Sequence, residues 1–160
     1  MLPTGGTLRD LDHVIGHELV HAFQFDMASM RNAEGEQVGP AVMQLPLWFI
    51  EGMAEYLSLG SGNHHTAMWL RDAEANNRLP TFEQLNDPQY FPYRFGHALW
   101  SYIGERWGDE AVGAILKATL SGGIEGAFRR TIGLTLEQLS SQWRDAIQKK
   151  YLPEIGARAK

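Results

Sequence analysis

The stretch His17-Glu18-Leu19-Val20-His21 sets two imidazoles four positions apart inside the largely apolar run 11–25. On an α-helix this spacing leaves them about 40° apart in azimuth and one turn apart in height, so both can reach one ion. Glu18 projects to the side of that axis, where it can hold a water beside the ion without binding the ion itself, the placement of a general base. A catalytic zinc site takes three protein ligands and keeps the fourth position for water, so a third donor must come from elsewhere. The chain has no cysteine, which leaves nitrogen and oxygen ligands only. The best candidate is Glu51, within Trp48-Phe49-Ile50-Glu51-Gly52-Met53-Ala54-Glu55-Tyr56. A carboxylate among so many apolar residues is costly to bury unless it is paired or metal-bound.

Helices must carry these residues. Thr7 is a plausible N-cap with Asp10 at its third position, and apolar residues recur at Leu8, Leu11, Val14, Ile15, Leu19, Ala22 and Phe23. That pattern predicts a long helix over 8–30. Residues 32–46 turn to Glu, Gly, Gln and two prolines with no sustained period and read as a surface loop bordering the site. Pro46 then suits a first helical turn, and 47–59 reads as a second helix, ended by Gly60-Ser61-Gly62. Further helices are expected over 64–74, 96–107, 110–120 and 124–131, with a short turn at 82–85 and an irregular, aromatic lead-in at 89–94. Thr135 and Gln138 form a capping box that opens a last helix to about residue 151, and the tail from 153 to 160 is expected to fray. No pair of alternating runs joined by a turn dipeptide is evident, so the fold class is mainly α, as a single domain over 1–152.

The pair H-E-L-V-H and W-F-I-E-G-M-A-E-Y resembles the gluzincin branch of zinc metallopeptidases, in the peptidase MA superfamily. The resemblance implies His17, His21 and Glu51 as ligands of one catalytic Zn2+ and Glu18 as general base and acid. Glu55, one turn beyond Glu51, matches a carboxylate that orients a ligating histidine, which agrees with the usual need of such an imidazole for a second partner. Tyr93-Arg94-Phe95-Gly96 is similar to the Tyr-x-x-Gly of the alanyl and leucyl aminopeptidases, which implies an oxyanion role for Tyr93. The C-terminal helices look like those of bacterial peptidase-MA-like proteins, including forms fused to a β-propeller. Two departures stand out. Gluzincins place a β-sheet ahead of the zinc helix, and nothing upstream here reads as strand, which suggests part of a larger chain. The Gly-x-Met-Glu-Asn stretch of the aminopeptidases is also missing, so endo- or exo-cleavage stays open.

Other residues admit plainer roles. His13 shares the face of His17 and reads as a supporting or exposed group; His64 and His65 read as exposed at a helix start. His97 either lines the site beside Tyr93 or, the favoured reading, is a partly buried structural histidine, and Arg94 is either solvent-exposed or a partner for a substrate carboxylate. Trp48, Trp69, Trp100, Trp107 and Trp143 read as core. Composition narrows the partners. With 14 basic against 19 acidic residues the net charge is −5, and no Lys/Arg stripe could track phosphates, so nucleic acid is not an expected partner. No apolar run reaches the ~20 residues of a membrane span, and the first residues lack a signal-peptide pattern. The family resemblance nevertheless favours a secreted or cell-envelope location. The expected substrate is a peptide or protein, against two rivals: a catalytically idle zinc-binding or interaction module, and a promiscuous zinc esterase.

Overall fold

Thr7 opens the first helix as its sequence suggests: its backbone N–H and hydroxyl both donate to Asp10 Oδ2 at 2.8 Å, and Asp10 N–H donates back to Thr7 Oγ1 at 3.3 Å. The computed structural model describes residues 7–27, 29–31, 37–40, 44–87 and 89–158. Among these the chain is mainly α, with seven α-helices: α1 (Leu8–Met27), α2 (Leu47–Leu59), α3 (His64–Ala75), α4 (Pro92–Trp107), α5 (Asp109–Thr119), α6 (Gly123–Ile132) and α7 (Leu136–Arg158). No helix among the described residues is long and apolar enough to cross a membrane.

The boundaries depart from expectation in four places. α1 stops at Met27, and Ser29–Arg31 (β1) pairs antiparallel with Gln37–Pro40 (β2), where the sequence predicts the end of the helix and a surface loop. Strands of three and four residues carry too little alternation to show a period of two, and their ladder is made by backbone groups that any sequence supplies. The rest of that loop, 32–36 and 41–43, lies outside the described residues. α4 begins at Pro92, so the expected lead-in supplies its first turn: proline's fixed φ suits the first helical position, where its missing N–H costs nothing. α7 continues to Arg158 with Pro153 inside it, past the frayed end expected near Tyr151, at the loss of one backbone hydrogen bond. The capping box that opens α7 is present as read, with Thr135 N–H donating to Gln138 Oε1 at 3.0 Å and Gln138 N–H to Thr135 Oγ1 at 3.1 Å.

α2 is the axis of the fold. It buries Trp48, Phe49, Gly52, Met53, Ala54, Glu55 and Tyr56, more than one face, as a helix packed on several sides must. Its closest neighbour is α4, and Gly52 of α2 meets Gly96 of α4 where they cross. A Cβ built on either glycine would overlap backbone of the other helix; one on Gly52 would stand 2.8 Å from the Gly96 carbonyl oxygen. The missing side chains are what allow the two backbones to touch. Around this crossing Leu99, Trp100 and Ile103 of α4, Ile115 of α5, Phe128 of α6, and Leu139 and Trp143 of α7 complete the core. Trp100 sets its ring edge-on to Phe49 at 4.9 Å and donates its Nε1–H to Phe49 O at 2.9 Å. Of the five tryptophans read as core, Trp48, Trp100 and Trp143 are fully buried and Trp107 partly so. Trp69 is 38% exposed, lying on Phe91 and Phe95.

α1 is oriented against its apolar pattern. Leu8, Leu11, Ile15, Leu19 and Phe23, which the spacing assigns to a core-facing side, are all exposed, Phe23 at 58%. The partly buried side that faces α2 carries His13, His17, Val20, His21 and Met27, and the one described α1 side chain that is fully buried is Gln24. The residues that seat α1 on α2 are therefore mostly those that could do chemistry.

Candidate functional site

The facing sides of α1 and α2 bring three donor atoms into one small triangle. His17 Nε2 lies 3.1 Å from Glu51 Oε2, His21 Nε2 lies 3.2 Å from the same oxygen, and the two nitrogens are 3.0 Å apart. Four-coordinate zinc, at about 2.0–2.1 Å from nitrogen or oxygen, needs ligand atoms roughly 3.3 Å apart, so the triangle needs little expansion to accept one. The chemistry of the set fits as well: two imidazoles and a carboxylate suit a borderline cation.

The field at the triangle is negative. Glu51 first, and then Glu55, favour a positive charge on His17 and raise its pKa from 6.5 to about 9, against the opposing effect of burial. Whatever favours a proton there favours a metal cation in competition with it. For Glu51 and Glu55 burial acts to raise the pKa. Contact with His17 outweighs it in both, together with the charges of His21 at Glu51 and of Arg94 and His13 at Glu55, and both carboxyls end below 4.5.

Each imidazole has a contact at its far nitrogen. His17 Nδ1 lies 3.2 Å from Glu55 Oε1, close enough for an ion pair though poorly aligned for a hydrogen bond. The same oxygen takes His13 Nε2 at 3.2 Å, while Glu55 Oε2 accepts from Arg94 Nη1 at 2.8 Å. His13, His17 and Glu55 could themselves surround a cation. The guanidinium on the second Glu55 oxygen makes that group an orienting network instead, since it would repel an ion placed there. Arg94 thus has a partner that neither of its two sequence readings included, and 39 positions of chain separate the pair.

On the other side, His21 Nδ1–H donates to Gln24 Oε1 at 2.8 Å, and Gln24 Nε2 donates to Ile50 O at 3.0 Å. Sequence reasoning missed Gln24. The available signal was a long amide three positions after the second histidine, on the helix side that already carries His17 and His21.

Tyr93, on the first turn of α4, stacks its ring on His17 with centroids 6.1 Å apart and planes 21° from parallel. Burial first, and then the Glu51 carboxylate, raise its phenol above 10.0, so it stays a hydrogen-bond donor at neutral pH. The charge of Glu18 is felt at the same phenol, and Glu18 itself is exposed on the solvent side of α1, outside the donor group. A cavity of about 430 Å3 opens next to the orienting network, lined by Asp10, His13, Asn63, His64, His65 and Arg94. A larger one of about 700 Å3, between Trp48, Phe82 and Arg144, contains none of the donors.

His97 does not line the site. It is fully buried and donates from Nε2 to Gly60 O at 2.8 Å, while its Nδ1 has no partner. Burial lowers its pKa below 6.5, so it folds neutral. A depressed histidine contributes stability that is present above the unfolded value and lost as pH falls through the folded one. The difference in unfolding free energy between wild type and His97→Gln is therefore expected to be larger at pH 8 than at pH 5. A difference independent of pH would show that His97 is not held neutral.

A family model described as "BSP: Peptidase of plants and bacteria" matches residues 5–143. No curated protein and no solved structure matched the chain.

Proposed function

The chain belongs to the BSP family of peptidases of plants and bacteria, and from that premise we propose that it is a zinc-dependent peptidase of gluzincin type, with His17, His21 and Glu51 as the metal ligands. The observation that carries this reading is the triangle of donor atoms with sides of 3.0–3.2 Å, built from two helices and backed at both histidines. A zinc ion held there supplies Lewis-acid polarisation of a carbonyl and makes a water more acidic.

The chain's own groups account for the rest of the chemistry. In this reading Glu18, the residue after the first ligating histidine, takes a proton from the attacking water and delivers it to the leaving amine. Tyr93, still protonated at neutral pH, donates to the oxyanion from the wall formed by α4. Glu55, with Arg94 holding one of its oxygens, keeps the His17 ring turned so that Nε2 points into the triangle. The substrate class is a peptide, as the family implies.

The test begins with metal. Protein purified without added zinc is expected to carry about one equivalent, and His21→Ala and Glu51→Ala are each expected to lose it. Chelation is expected to stop cleavage of fluorogenic peptides, and zinc to restore it. Full metal content in both variants would sink the ligand assignment. Cleavage of p-nitrophenyl esters alone would make the protein an esterase, and no cleavage at all would leave an idle zinc module.

A further inference from the structure

Glu18, Tyr93, Glu55 and the three donors leave one buried polar group of the site without a role. Gln24 is 2% exposed and sits three positions beyond His21 on α1. Each half of its amide is committed. Nε2 donates to the carbonyl of Ile50, the residue immediately before Glu51 on α2, at 3.0 Å. That bond fixes which way the amide faces, because a carbonyl can only accept, so the oxygen must be the end turned to His21. It accepts from His21 Nδ1 at 2.8 Å. With the proton on Nδ1, neutral His21 presents an unprotonated Nε2, the atom that stands 3.0 Å from His17 Nε2 and 3.2 Å from Glu51 Oε2.

We propose that Gln24 is a positioning residue for the metal centre: one amide sets the tautomer of His21 and ties α1 to α2 at the turn that carries Glu51. The proposal rests on the metal-site reading above. It differs from the Glu55 contact on His17 in one respect. Glu55 reaches its histidine from the neighbouring helix, whereas Gln24 shares a helix with its histidine and reaches across to the carbonyl of the residue before Glu51. Through it the angle of the His21 ring and the distance between the two ligand-bearing helices are set by one side chain. Outer partners of this kind change metal affinity by about 10–100-fold when removed.

Two variants separate positioning from packing. Gln24→Met keeps the length of the side chain and removes both hydrogen bonds. Gln24→Glu keeps an acceptor for His21 Nδ1–H but sets a carboxylate against the Ile50 carbonyl, so it is expected to be the less stable of the two without metal. Zinc affinity, measured by competition with a chromophoric chelator, is expected to fall about 10–100-fold in Gln24→Met and by much less in Gln24→Glu. The order of affinities then runs opposite to the order of metal-free melting temperatures, which a purely structural role would not produce. Cobalt(II)-loaded Gln24→Met is expected to show a displaced visible spectrum, and Gln24→Glu one closer to wild type.

Wild-type affinity and spectrum in Gln24→Met would overturn the proposal, as would affinities that simply follow the melting temperatures. His21→Ala serves as the control in the same assay. If it binds zinc as tightly as wild type, the metal reading itself fails; if it loses zinc while Gln24→Met keeps it, only the role of Gln24 fails.

Discussion

Glu18→Gln is expected to keep its zinc and lose peptide hydrolysis by about 10²–10⁴-fold, the range that a positioned acid–base group contributes. Glu18 lies between the two histidines in sequence but projects away from their common side, and it stands outside the group of atoms that close on one another as donors. It is exposed, and its charge contributes to raising the phenol of Tyr93. Glutamine matches it in size and can still hold a water, but cannot take up a proton. Metal content and turnover must therefore separate in this variant. If both fall together, Glu18 is a ligand; if neither falls, the proton goes elsewhere and the proposed role is wrong.

Gly52→Ala is expected to do more damage to the fold than any other one-carbon addition to α2. All three atoms nearest the new methyl belong to the backbone of Gly96 in α4, so no side chain can swing aside. Overpacking typically costs about 1–3 kcal/mol, and a collision with a helix backbone belongs at the upper end. For a domain of this size that corresponds to a drop of roughly 6–12 °C in melting temperature. Activity is expected to fall as well, because parting α2 from α4 moves Tyr93 and Arg94 away from Glu51 and Glu55. Gly113→Ala is the control: it sits on a helix, nothing lies within 4 Å of its missing Cβ, and alanine there is expected to be neutral or mildly stabilising. A Gly52→Ala protein as stable as the control would mean that the crossing can open without cost.

How far this arrangement is legible in the sequence depends on how far apart its parts lie. The 47–59 helix is found with its full bounds, since Pro46 and Gly60 punctuate it and its apolar residues are dense. The His17–His21 spacing and the acid on the next apolar helix are local patterns, and they suffice to name the three atoms that the fold brings together. The Arg94–Glu55 pair is not local: an arginine in a first turn looks like any surface cation until α4 is laid across α2. Gln24 escapes for the same reason, because an amide on a helix reads as solvated unless the carbonyl of Ile50 is known to face it.

Periodicity does not tell which side of α1 meets the protein, because it reports only that a helix has two faces. Leu11, Ile15, Leu19 and Phe23 recur every four residues, and by the usual assignment that stripe is buried. Here it is exposed, and the imidazole-bearing side is turned inward.

That inversion gives α1 a thermodynamic character of its own. A helix that contributes little apolar burial to its own attachment can open as a separate cooperative unit, at a free energy well below that of global unfolding. Its amides then exchange with solvent through this partial opening, while those of α2 and α4 wait for the whole core to come apart. Because the opened form would lose two of the three donors, a bound cation deepens the protection of α1 by RT ln(1 + [L]/Kd), independently of how stable the core is. If the proposed metal site is filled, the donors on α1 and the helix that opens separately are the same residues, and occupancy of the site would set how often α1 opens.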